Sequence, residues 1–257
     1  MEQEKILVYD GSFNGFLTSV FTAFEEKINV VDIQRKNEIQ KGLFTETQII
    51  LTQLSKAKRV WNGLSKRSNT AIKNIYFAFL SETHGIEKLL FSYIKKIVAK
   101  EESNPIELTD EMLFKINNLA AIVGKKKNQM EAFTKFQVSK DGVHFIIAEP
   151  EFDLIPLVSK HFRYHFSDRQ WIIYDIKRNY GLYFNLKTVQ IISLDPKAVF
   201  TNKASFKSNE HSGLSGAITL WNSYFANNSI KSLIAQRPHT YQMPKRQRDI
   251  REKREAV

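Results

Sequence analysis

Apolar residues recur along this chain with two different spacings, and the changes between them mark out its elements. Lys5-Ile6-Leu7-Val8-Tyr9 is a short, strand-like run, and Asp10-Gly11-Ser12 follows as a turn. Ser12 is placed to cap a helix from Phe13 to about Lys27. Over residues 45–99 the spacing is three and four: Ile49, Ile50, Leu54, Val60, Trp61; Ile72, Ile75, Tyr76, Phe79, Leu80; Ile86, Leu89, Leu90, Tyr93, Ile94, Ile97. The pattern predicts consecutive amphipathic helices, broken near Gly63 and His84-Gly85 and ended by Asn104-Pro105. A further helix follows Thr109 and runs to about Met130.

Beyond residue 130 the period shortens. Residues 133–138 and 143–148 alternate around Lys140-Asp141-Gly142, a hairpin signal with glycine where a positive φ is needed. Residues 150–166 read as a helix through Leu154, Ile155, Leu157, Val158 and Phe162. Three strand-like runs follow at residues 171–174, 180–184 and 189–192, and they predict a small antiparallel meander. Helical spacing returns over residues 212–225 and again over 230–235. The expectation is an α+β fold with an N-terminal β-α unit, a central helical region and a small antiparallel sheet in the C-terminal half. Residues 1–236 are expected to form one compact domain, helical over about 45–130 and mixed over about 131–236, ahead of a basic tail at 237–257.

Composition narrows the function. The 257 residues hold 38 Lys and Arg against 27 Asp and Glu, a net charge of +11 that makes a polyanion the natural partner. With no cysteine there is no disulfide, thiolate metal site or cysteine nucleophile, as expected in a reducing compartment. The acidic N-terminus leads straight into a strand, and the chain reads as cytoplasmic, without a secretion signal or membrane span. No cofactor and no metal are assigned.

Charge position singles out three clusters. In His161-Phe162-Arg163-Tyr164-His165-Phe166-Ser167-Asp168-Arg169 two histidines stand four apart on one helix face. That spacing suits metal ligands, but the HExxH pattern that would supply a base is absent. The segment reads either as a helix end stabilised by its cations or as a phosphate contact, with Tyr164 and Phe166 stacking or packing. Asp175-Ile176-Lys177-Arg178-Asn179-Tyr180 reads as a hairpin that projects Lys177 and Arg178 as a phosphate clamp, or as a turn in which Asp175 pairs with Arg178. In the tail at residues 237–257 seven Lys or Arg face three acids, and its cluster of Lys245, Arg246 and Arg248 reads as an arm for nucleic acid.

The run Tyr9-Asp10-Gly11-Ser12-Phe13-x-Gly15-Phe16-Leu17-Thr18-x-Val20-Phe21, the segment from His161 through Phe166 to Tyr183, and Met243-Pro244-Lys245-Arg246 together resemble a bacterial family of DNA metabolism and repair proteins. Members of that family stand alone or are fused to a uracil-DNA-glycosylase-like domain, and are encoded beside a radical-SAM iron–sulfur protein. The resemblance implies a DNA-repair context and a protein partner of the radical-SAM type. Gln247 and Arg248 stand where the family commonly carries an aromatic pair. The first expectation is a DNA-binding accessory protein using Arg163, Arg169, Lys177, Arg178, Lys245, Arg246 and Arg248. The alternatives are a DNA-processing enzyme, with His161 or His165 as base and Asp10 or Asp175 beside it, and a protein-only adaptor that docks through its central helices.

Overall fold

A computed structural model describes residues 4–38, 45–98, 109–194, 214–227 and 229. They fall into two compact units that divide after Gly124. The class is α+β, as the sequence predicts.

The first unit is built on a parallel three-stranded sheet in the order β2-β1-β3, with β1 at Glu4–Tyr9, β2 at Asn29–Arg35 and β3 at Glu46–Ile49. From residue 6 to 9 every side chain of β1 is buried, as a central strand covered on both faces must be. Helix α1 (Phe13–Glu25) joins β1 to β2, and Ser12 caps it by accepting from the Gly15 N–H at 2.9 Å. Helices α2 (Leu54–Arg67), α3 (Asn69–Phe79) and α4 (Ile86–Val98) follow. Phe13 joins α2 and α3 to α1, with ring centroids 5.9 Å from Trp61, 4.9 Å from Tyr76 and 5.1 Å from Phe79.

Two details depart from the sequence reading. The helical stretch expected from residue 45 begins as strand β3, where Ile49 is 70 % exposed while the next residue, Ile50, is buried. Gly63 lies inside α2, and the break comes at Ser68, whose hydroxyl accepts from the Ala71 N–H and starts α3.

Helix α5 (Asp110–Phe133) runs from the first unit into the second. The second unit carries a five-stranded sheet in the order β4-β5-β6-β7-β8: Gln137–Val138, His144–Ala148, Trp171–Asp175, Tyr180–Phe184 and Val189–Ile192. The hairpin from β4 to β5 and the meander from β6 to β8 are antiparallel as predicted, with Gly142 at a φ of +76°. The pair β5 and β6 is parallel, so the sheet is mixed. Helix α6 (Ile155–His165) supplies the crossover a parallel pair requires. It starts later than residue 150, and ahead of it the Pro150 and Glu151 carbonyls accept from Arg178.

Helix α7 (Leu214–Asn227) packs Trp221 and Phe225 on Tyr174 and Phe145, around Val143, Ile172, Tyr183 and Ile192. Helix α6 packs Phe162 on Trp171, and β6 is buried along its whole length. No helix of the described residues is long and apolar enough to cross a membrane.

Candidate nucleic-acid interface

Helix α6 forms because Ile155, Val158, Ser159 and Phe162 repeat at helical spacing and bury one stripe, while Pro156 sits in its first turn, where a missing N–H costs nothing. It stops at Phe166, whose N–H still reaches the Phe162 carbonyl at 2.9 Å. Phe166 turns inward, its ring 5.8 Å from Phe162 and 4.9 Å from Phe136. The opposite face carries Lys160, Arg163 and Tyr164, spaced three and four apart. Tyr164 is 80 % exposed. Neither Lys160 nor Arg163 forms an ion pair with another described residue.

His161 and His165 make the adjoining row, with ring centroids 4.4 Å apart, and Tyr164 meets His165 edge-on at 5.1 Å. The Glu131 carboxylate lies 3.9 Å from His161 Nδ1 and accepts from Lys127 Nζ at 2.6 Å, while its second oxygen is buried without a described hydrogen-bond partner. Burial pushes the His161 pKa below the ordinary imidazole value; Glu131 opposes this, and His165 and Lys127 add to it. Glu131 is the residue the sequence reading missed. Its only local signal was a lysine four positions earlier in α5. Among the described residues no group of three or more His, Cys, Asp or Glu is arranged to hold a metal.

Arg169 is held by its own neighbour, with Nε and Nη2 donating to the Asp168 carboxylate at 3.0 and 2.6 Å. The β6–β7 hairpin does not project both of its cations. Arg178 turns inward, pairing with the buried Asp175 carboxylate at 2.7 Å and donating to the carbonyls of Pro150 at 3.0 Å and Glu151 at 3.1 Å. Lys177 Nζ reaches the same Glu151 carbonyl at 3.3 Å. Of the two readings the hairpin allowed, local pairing is the one formed, because Asp175 closes the last position of a fully buried strand and its charge needs a partner there.

Asp10 belongs to the first unit. Its carboxylate accepts from the Ser12 N–H and hydroxyl at 2.9 and 2.7 Å and from the Thr52 hydroxyl at 2.8 Å, tying β1 to the chain after β3. Gly15 is required beside it: a Cβ there would stand 2.2 Å from Asp10 Oδ1 and 2.8 Å from Thr52 Oγ1. The Asp-Gly-Ser-Phe-x-Gly run is thereby explained as a strand-to-helix turn. Lys245, Arg246 and Arg248 lie outside the described residues.

The second unit is thus an α+β module whose α6 presents a basic and aromatic face. Residues 84–250, more than half of the chain, match the model of the domain of unknown function DUF4130, and the chain belongs to that family. The match opens in the turn before α4 and takes in the whole second unit, leaving the sheet of the first unit outside it. No curated protein matches the chain.

Proposed function

We propose that this chain is a DNA-binding accessory protein of DNA metabolism or repair, which presents its substrate to a partner enzyme of the radical-SAM type. The observation that carries the reading is the outward face of α6, where Lys160, Arg163 and Tyr164 stand together beside His161 and His165. Side chains of these types contact phosphates and bases without needing a cofactor. The net charge of +11 adds attraction at longer range. The DNA context and the choice of partner come from the resemblance carried by the Tyr9–Phe21, His161–Tyr183 and Met243–Arg246 segments.

Equilibrium binding of labelled DNA across a range of salt tests this reading. The affinity is expected to fall with a slope of roughly −0.9 per contacted phosphate in log-log form. Absent binding, or binding indifferent to salt, overturns it. Co-purification with a radical-SAM protein tests the partner separately.

A second reading, a DNA-processing enzyme, draws on the Glu131 carboxylate beside His161, an arrangement that can orient an imidazole base. Asp175 and Asp10 do not serve it, since the first is tied to Arg178 and the second to Ser12 and Thr52. In that case E131Q would abolish turnover of a DNA substrate and leave its affinity unchanged.

A further inference from the structure

Resting on the DNA-binding reading above, we infer that the α6 face takes single-stranded DNA, with an unpaired base stacked on Tyr164. The inference starts from what this end of a helix can offer. A helix C-terminus presents carbonyls and a partial negative charge, so no backbone amide is available there to hold a phosphate, unlike at a helix N-terminus. Attraction to the backbone of a nucleic acid at α6 must come from side chains alone.

Lys160 and Arg163 are the cations the face has to give, because Arg169 is engaged by Asp168 and Arg178 is turned into the fold. Two cations with a helix dipole against them make a modest phosphate site, so a tight complex needs another contribution.

Tyr164 supplies it. The neighbouring aromatic side chains Phe162 and Phe166 are packed inward, against Trp171 and Phe136, whereas Tyr164 keeps 80 % of its surface in solvent. Its described ring contact is with His165, the centroids 5.1 Å apart and the planes close to perpendicular, so the two rings are not stacked on each other. A ring this exposed, one residue from Arg163 and four from Lys160, offers a stacking platform flanked by two cations that can meet phosphates.

Stacking also decides the form of the DNA. In a duplex both faces of each base are covered by the neighbouring pairs, and only the ends are open. In a single strand any base can be splayed onto a ring. Stacking itself does not select a sequence, since every base has a π-face.

The test measures binding of the full chain to a labelled thymidine oligomer and to a duplex of equal length, at matched salt, by fluorescence anisotropy. The oligomer is expected to bind more tightly than the duplex. Y164A is expected to weaken oligomer binding about tenfold and duplex binding markedly less, with Y164F close to the parent. Because Tyr164 is exposed, Y164A should melt with the parent protein, and its salt slope should equal the parent's because no phosphate contact is lost. Duplex bound as tightly as the oligomer, or oligomer affinity unmoved in Y164A, overturns the inference while leaving DNA binding intact. If neither nucleic acid binds, the DNA-binding reading fails and the inference goes with it.

Discussion

Asp175 is fully buried, and it keeps company with a cation that is almost as hidden, for the Arg178 side chain is 11 % exposed. Burial pushes the Asp175 carboxyl above the ordinary carboxylate value, while Arg178 and the N–H groups of Lys177 and Arg178 pull it back. Removing one partner of such a pair leaves a buried charge uncompensated. D175A is therefore expected to cost about 3 kcal/mol or more, read from urea unfolding. D175N should cost less, because its side-chain oxygen still accepts from the two turn N–H groups. His161 gives a pH signature of a different kind. Its folded-state pKa is depressed, mainly by burial, so the folded protein resists protonating it. That contribution to stability is complete above the ordinary imidazole pKa and is lost as the pH falls through it towards the lowered value. Unfolding midpoints measured down this range should decline in the parent and decline less in H161Q. An equal decline in both would assign the loss to other groups.

Elements whose residues face a core on both sides or on one regular stripe were legible in the sequence: β1, α1, β5 and the β6–β8 meander fall where their periods predict, whereas the strand expected over 133–138 forms only at Gln137–Val138, both exposed, with α5 running on to Phe133. What was hidden has a common physical cause. Strand β3 is an edge strand with Ile49 exposed, so its apolar residues merged with the helical spacing that follows. Strand β2 is half-buried, and Asp32 and Gln34 interrupt its apolar run, so it gave no strand signal. The parallel pairing of β5 with β6 cannot be read from either strand, because it is set by α6 crossing between them. The site follows the same rule. The Asp175 and Arg178 pair spans three residues and was legible as one of two options, whereas Glu131 meets His161 from another helix thirty positions away and was not. Helix α7 is held to the sheet by aromatic contacts, with Trp221 3 % exposed and its ring centroid 5.1 Å from Tyr174 and 5.9 Å from Phe225. W221A removes the largest of these side chains, and a loss of about 3 to 5 kcal/mol is expected in chemical unfolding, with a fall in the near-ultraviolet dichroism of the aromatic cluster. A loss below about 1 kcal/mol would mean that α7 contributes little to the core.

At the scale of the whole molecule the question is whether affinity for DNA follows the total charge or its placement. Two double variants separate these possibilities because they change the total by the same amount. K160E/R163E and K66E/R67E each replace two cations by two anions, taking the net charge from +11 to +7. Lys66 and Arg67 are exposed in the last turn of α2 in the first unit, whereas Lys160 and Arg163 lie on the α6 face of the second. A long-range field acts through the total and is screened beyond about 8 to 10 Å at physiological salt, so it would weaken both variants alike and mainly at low salt. Direct phosphate contacts are lost one by one, and each removes roughly one unit from the salt slope. The α6 reading therefore expects K160E/R163E to flatten the slope by about two units and K66E/R67E to leave it near the parent value. Equal slopes in the two variants would move the interface away from α6 and leave the basic charge as a property of the surface at large.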